Sequence, residues 1–128
     1  TFLIWGGIMP KFLAFFEIPA EDFARAVAFY SEVFNCELVE MCCEAEKMAF
    51  FPSCEGAISS APSIRPSADG VLISLNTPEI DTTLKVIESK GGKVITPKTK
   101  IEAEGRGWFA VFIDCEGNKI GLYQDLPQ

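Results

Sequence analysis

The chain has 128 residues, of which 48% are hydrophobic and 11 are phenylalanine, so it can bury the core of a single domain. Its net charge of −7 argues against nucleic acid or an anionic membrane as a partner, because both bind basic patches. The chain has no histidine, which excludes Ser-His-Asp and Cys-His catalysis and any histidine-ligated metal.

The five cysteines are odd in number, form no C-x-x-C pair and follow no secretory signal. We therefore expect reduced thiols and a cytoplasmic protein. The neighbours Cys42 and Cys43 fit either a soft-metal or redox pair or, as we favour, small apolar filler in a β-rich run. Cys115 lies in a predicted turn without a nearby cation, so we do not expect it to be a nucleophile.

Residues 1–8 are apolar but too short to span a bilayer, and Met9 reads as a natural start. We interpret residues 1–8 as an N-terminal extension or a cloning remnant. An arm that packs on the domain or on a partner is the alternative. Residues 9–128 are predicted to form one domain, with module one at about 9–60, a linker at 61–69 and module two at about 70–126.

Module one begins with a predicted strand over residues 11–18, which Pro19 ends. Glu21 and Asp22 then open a helix, since acidic side chains suit its N-terminal dipole. Helical spacing predicts one apolar face, formed by Phe23, Ala26, Val27, Tyr30, Val33 and Phe34. Asn35 stands where a left-handed residue would end the helix. Three short strands follow, near residues 36–42, 47–51 and 56–60.

Residues 61–69 carry no periodicity and are predicted to form a linker or surface loop. Module two repeats the order of module one, beginning with a strand over residues 70–76. Thr77 is the expected N-cap of a helix with Pro78 as its first residue. The apolar face of this helix is Ile80, Leu84 and Ile87, and Gly91-Gly92 ends it. Strands follow near residues 93–96, 108–114 and 119–124.

A strand, a helix and three strands therefore occur twice. The halves align at an offset of about 56 residues over the helices and about 61 at the last hairpin, which indicates a duplication.

Two blocks carry a resemblance to a known family: FFEIPAEDFARAVAFYSEVFNCEL at the front and GWFAVFIDCEGNKIGLYQ at the back. Together they resemble the vicinal oxygen chelate superfamily, which includes glyoxalase I, bleomycin-resistance proteins and extradiol dioxygenases. The resemblance covers nearly all of residues 9–124. It implies an α+β fold of two βαβββ modules, whose curved mixed sheets enclose a cleft. It also implies a homodimer.

Metal-dependent members of this superfamily bind a divalent ion with His and Glu from the first and fourth strands of each module. By this resemblance the ligand positions fall on Phe15, on Gly121, near Ser60 and near Val71. None of these side chains is a usual metal ligand, so we expect a metal-free protein with no cofactor.

Strand alternation defines the side chains that we expect to face the cleft. A turn over residues 114–118 would pair Ile113 with Lys119, Val111 with Gly121 and Phe109 with Tyr123, leaving a gap at the glycine. Phe112, Ile120 and Leu122 would then be core. The candidate ligand-binding residues are Phe15, Glu17, Trp108, Phe109, Gly121 and Tyr123.

Two readings of Glu17 stay open. It could be a general base or a cation acceptor in an apolar cleft, or it could pair with Arg25, Arg106 or Lys119 or face solvent. Trp108 could cover the mouth of the cleft, or it could be an ordinary packed aromatic.

The favoured function is a metal-free binder of an apolar or aromatic small molecule. The alternative is a glyoxalase-type lyase or isomerase or a dioxygenase, using an unforeseen metal site or Glu17 as base. No catalytic residue is assigned.

Overall fold

The computed structural model describes residues 13–42 and 45–127, and within them strand, helix and three strands occur twice. The first module is β1 (Phe16–Pro19), α1 (Phe23–Val33), β2 (Val39–Cys42), β3 (Lys47–Phe50) and β4 (Gly56–Ser60). The second is β5 (Ser74–Asn76), α2 (Ile80–Ser89), β6 (Lys93–Lys100), β7 (Trp108–Ile113) and β8 (Lys119–Gln124). The predicted element order is confirmed. Our expectations for residues 1–8, for the start of the first strand and for Cys43 lie outside the described residues.

Each module forms one four-stranded mixed sheet. The orders are β1-β4-β3-β2 and β5-β8-β7-β6. In each sheet the first strand pairs in parallel with the last, and the remaining pairs are antiparallel. This α+β architecture of two βαβββ modules is the predicted fold.

The two helices and the inner faces of both sheets share one core. The ring of Phe29 on α1 lies 6.3 Å from that of Phe112 on β7, so the core crosses between the modules. On α2 the predicted residues Ile80, Leu84 and Ile87 are buried. On α1 the residues that are buried are Ala26, Phe29, Tyr30 and Val33. Our prediction omitted Phe29 and included Phe23, Val27 and Phe34, which are only partly buried.

The start of α2 differs from the prediction of Thr77 and Pro78. The helix begins at Ile80, and Glu79 is its N-cap, accepting a hydrogen bond from the amide of Asp81 at 3.1 Å. Thr77 is engaged elsewhere, because its amide donates to the carbonyl of Tyr123 at 2.9 Å. This contact holds Thr77 beside β8, and the helix begins two residues later than predicted.

The turn between β7 and β8 fastens module two to module one. Asp114 and Asn118 are both buried in this turn. The hydroxyl of Tyr30 on α1 donates to Asp114 Oδ2 at 2.7 Å, and Asn118 Nδ2 donates to the carbonyl of Pro19 at 2.7 Å. The relative position of the modules is thus set by buried hydrogen bonds as well as by apolar packing.

Glu116, in the same turn, binds the N-terminus of α1. Its Oε1 accepts hydrogen bonds from the amides of Glu21 and Asp22, each at 2.8 Å. Its Oε2 accepts from Arg25 Nε at 2.5 Å, and the Glu116 side chain is fully inaccessible to solvent. A carboxylate at this position satisfies free amides of the first helical turn and complements the helix dipole.

Candidate functional site

A pocket of about 400 Å³ lies along the seam between the two modules, and we call it the seam pocket. It runs between β1, the linker and the start of β8. Its walls include the apolar side chains of Leu13, Phe15 and Val71. Three charged residues also line it: Glu17, Arg65 and Lys119. Both its volume and its mixture of apolar wall and few polar groups are typical of small-molecule sites.

Glu17 stands on the open face of β1. Alternation along β1 turns its neighbour Ile18 into the core, where it is 2% exposed. The hydroxyl of Ser59 on β4 donates to Glu17 Oε1 at 2.7 Å. This hydrogen bond holds the carboxylate against the sheet while the side chain remains exposed and reaches the pocket.

The predicted ion-pair partners of Glu17 are engaged otherwise or lie too far away. Arg25 pairs with Glu116. Within residues 13–42 and 45–127, no basic side chain lies within salt-bridge distance of Glu17. Glu17 is therefore a hydrogen-bonded carboxylate at a pocket wall.

Phe15 directly precedes β1 and is half-buried. Its ring lies 6.0 Å from that of Phe50 on β3, so the two rings share the open face of the module-one sheet. Strand pairing places Met48 and Val39 on the same face. Phe15 thus forms the apolar end of a sheet surface that extends to the edge strand.

The predicted register of the last hairpin is confirmed. Val111 pairs with Gly121 and Phe109 pairs with Tyr123. Phe112, Ile120 and Leu122 are buried, as expected of the opposite face. Phe109, Gly121 and Tyr123 do not line the seam pocket, however, whereas Lys119 and Ile120 do. The structure therefore brings Phe15 and Glu17 together and places the hairpin candidates elsewhere.

The phenol of Tyr123 is used within its own neighbourhood. It accepts a hydrogen bond from the amide of Gly107 at 3.1 Å and donates to Asp125 Oδ1 at 3.0 Å. Both hydrogen bonds of the phenol are therefore to the chain itself, near the C-terminal end of β8.

Trp108 does not share the face of Phe109. It alternates with Phe109 along β7, and it packs against the buried core on the side of Ala110 and Phe112. The ammonium groups of Lys98 and Lys100 lie 5.0 Å and 5.3 Å from the centre of its ring, which is within cation–π distance. The expectation that Trp108 covers the cleft mouth has no support in this placement.

Gly121 does not leave an open gap. A Cβ atom added there would collide with Ser74 Oγ on the neighbouring strand β5, so that hydroxyl already fills the space.

The residues at the family's metal positions do not fit a divalent cation. Phe15 offers no donor atom, Ser60 offers one hydroxyl, and Val71 is an exposed aliphatic residue. In the described part of the chain, no group of three or more His, Cys, Asp or Glu side chains is placed to bind a metal. A hard cation needs several converging oxygens, which these positions do not supply.

Cys115 is a poor nucleophile. Burial, followed by the negative charges of Asp114 and Glu116, raises the pKa of its thiol from 9.0 to about 12. The thiol therefore stays protonated at neutral pH, and thiolate is the reactive form.

Arg65 and Val71, which line the seam pocket, and Ser59, which binds Glu17, were not among the ligand-binding candidates. Ser59 could have been found from the alternation of β4, had the parallel pairing of β1 with β4 been known. Arg65 lies in the linker, whose lack of periodicity predicts only a surface loop, and Val71 lies in a segment that is predicted as a strand but precedes β5 in the structure.

Comparison with known proteins agrees with this architecture. Residues 12–122 match the model of the Glyoxalase/Bleomycin resistance protein/Dioxygenase superfamily. The chain therefore belongs to that superfamily. No curated protein sequence matches it. None of the described helices is long and apolar enough to cross a membrane.

Three solved structures illustrate the likeness. A glyoxalase/bleomycin resistance protein/dioxygenase family enzyme from Burkholderia phytofirmans PsJN is 17% identical, with a TM-score of 0.68 over 89% of this chain and 98% of the other. The fosfomycin resistance protein FosX from Listeria monocytogenes is 19% identical, with a TM-score of 0.65 over 94% and 95%. A V278E mutant of glyoxalase I from Zea mays is 15% identical, with a TM-score of 0.71 over 92% and 47%. At these identities the likeness shows the fold alone.

Proposed function

We propose that this protein binds an apolar or aromatic small molecule in the seam pocket without using a metal. The observation that carries the proposal is the pocket of about 400 Å³, in which Phe15 and Leu13 form an apolar wall beside the carboxylate of Glu17. A small number of polar groups in an apolar cavity is the usual arrangement for orienting a small ligand.

The side chains at the family's metal-ligand positions support the metal-free part of the proposal. Phe15 and Gly121 occupy two positions at which metal-dependent members of the family carry metal ligands. Ser74 Oγ occupies the space beside Gly121. The antibiotic-resistance branch of the superfamily is the class that this proposal favours. We propose that this protein acts in the cytoplasm, because the described cysteines are free thiols.

We also propose that the protein is a homodimer. The open face of the module-one sheet carries large exposed apolar side chains, with Val39 at 64% and Met41 at 58% exposure. A contiguous apolar face of this kind is more often covered by a partner than left in water. Sedimentation at micromolar concentration checks this, and a single particle of 14.1 kDa would contradict it.

The binding proposal is tested with the uncharged fluorescent probe N-phenyl-1-naphthylamine. We expect saturable binding at one site, and Phe15→Asp should weaken it at least about tenfold, because it places a charge in the apolar wall. The matched control is Ile95→Asp on β6, an exposed apolar residue outside the pocket, which should change affinity by less than about twofold.

Thermal melting of both variants is the control that each is folded. Equal affinity of wild type and Phe15→Asp would overturn the proposed site. Stoichiometric nickel, zinc, iron or manganese in the purified protein would overturn the metal-free part.

A further inference from the structure

We infer that the ligand of the seam pocket is an anionic amphiphile, whose acidic group is bound by Arg65 and Lys119. The inference rests on the proposed function and names the chemical class of its ligand. Arg65 comes from the linker and Lys119 from the first residue of β8, and both line the same pocket.

The two cations lie at one end of the pocket. Asn118 Nδ2 donates to the carbonyl of Pro19 at 2.7 Å, and the amide of Ser67 donates to Asn118 Oδ1 at 3.0 Å. These bonds tie the linker and the start of β8 to the C-terminal end of β1. Lys119 directly follows Asn118 and Arg65 lies two residues before Ser67, so the cationic end of the pocket is the Pro19 end.

The opposite end of the pocket is apolar. Leu13 and Phe15 precede β1, and from Phe15 to Pro19 the strand advances about 13 Å at about 3.3 Å per residue. Ile73 also lines the pocket, together with Leu13. The pocket is thus cationic at one end and apolar at the other, which matches a ligand with an acidic head and an apolar body.

The two cations are available to such a ligand. In the described part of the chain, neither Arg65 nor Lys119 forms an ion pair. With Glu17 included, the pocket has two positive charges and one negative charge, in a chain whose net charge is −7. A local positive charge on an acidic protein attracts small anions, and guanidinium and ammonium groups form strong hydrogen bonds with carboxylate or sulfonate.

The test compares two matched probes, N-phenyl-1-naphthylamine and its sulfonated analogue 1-anilinonaphthalene-8-sulfonate. We expect the wild type to bind the sulfonate about tenfold more tightly. Arg65→Gln and Lys119→Gln should each weaken sulfonate binding about threefold to tenfold and leave the uncharged probe within about twofold. Glu17→Gln should strengthen sulfonate binding, because it removes the opposing charge from the pocket.

The matched control is Lys85→Gln, which removes an exposed cation on α2 outside the pocket and should change neither affinity. If the uncharged probe binds and responds to Phe15→Asp while the sulfonate binds no more tightly, the anionic assignment is wrong and the proposed function stands. The same conclusion follows if Arg65→Gln and Lys119→Gln leave the ratio of the two affinities unchanged. If neither probe binds, both proposals are wrong.

Discussion

Replacing Asp114 with alanine should lower the free energy of unfolding by about 3 kcal/mol or more. The Asp114 side chain is 3% exposed and accepts four hydrogen bonds, from Tyr30 OH at 2.7 Å, the amides of Glu116 and Asn118 at 2.9 Å, and Asn118 Nδ2 at 3.1 Å. The substitution leaves several buried donors without an acceptor, and each such group costs about 1–3 kcal/mol. Urea unfolding at neutral pH measures the change.

Tyr30→Phe is the matched comparison, because it removes one of the four donors and leaves the carboxylate bound by the other three. We expect a loss of about 1–2 kcal/mol. A loss for Asp114→Ala no larger than that for Tyr30→Phe would contradict the role of this turn in joining the modules.

The contact between Tyr30 and Asp114 should also make the stability of the protein fall in alkaline solution. Burial, followed by the charge of Asp114, raises the pKa of Tyr30 well above its ordinary value of 10.0. The stabilising contribution of Tyr30 is complete below the unfolded pKa and is lost as pH rises above it toward the folded pKa. The loss is about 1.4 kcal/mol per pH unit in that window. The wild type should therefore lose more stability than Tyr30→Phe between pH 8 and pH 11.

Replacing Glu116 with glutamine should lower the free energy of unfolding by about 1–3 kcal/mol at neutral pH, because a buried charged acceptor becomes a neutral one. The carboxylate binds the amides of Glu21 and Asp22 together with Arg25 Nε, all of module one. The control is Glu21→Gln, which removes an exposed carboxylate beside the same helix end and should cost less than about 0.5 kcal/mol.

Glu116 should also make the stability of the protein sensitive to acid. Burial alone would raise the pKa of Glu116, but the hydrogen bonds from Arg25, Asp22 and Glu21 outweigh it and hold the pKa below its ordinary value of 4.5. Its contribution is present above the unfolded pKa and is lost as pH falls through the folded pKa. Below about pH 4.5 the wild type should therefore lose stability more steeply than Glu116→Gln. Parallel acid profiles for the two proteins would contradict this assignment.

The sequence predicted the fold because its signals are local. A tight turn of fixed length sets the register of the last hairpin, so pairs such as Val111 with Gly121 follow from counting residues. The left-handed conformation of Asn35, at φ 49°, was also predicted from its place at the end of α1. The start of α2 was not predicted, because the strand-like contacts of Thr77 depend on Tyr123, which is distant in sequence.

The candidate site was predicted only in part, because the seam pocket joins segments that are distant along the chain. Alternation along one strand predicts Phe15 and Glu17, but Arg65 of the linker and Lys119 of β8 line the same pocket only because of the tertiary fold. Ser74 Oγ fills the space beside Gly121, and the parallel pairing that places it there could not be derived from periodicity.

Trp108 is a different case. Strict alternation places it opposite Phe109, together with Ala110 and Phe112, so the sequence already contained the argument against it. Lys98 and Lys100 lie over its ring, which gives these two lysines a structural role beside the buried core.

Backbone amide NMR during titration with N-phenyl-1-naphthylamine tests the seam pocket as the binding site most directly. The account predicts that chemical-shift changes concentrate at residues 15–17, at residues 67–71 and at Lys119, which line or adjoin the pocket. Phe109 and Tyr123 should remain unchanged. Changes at Phe109 and Tyr123 without changes at residues 15–17 would contradict it.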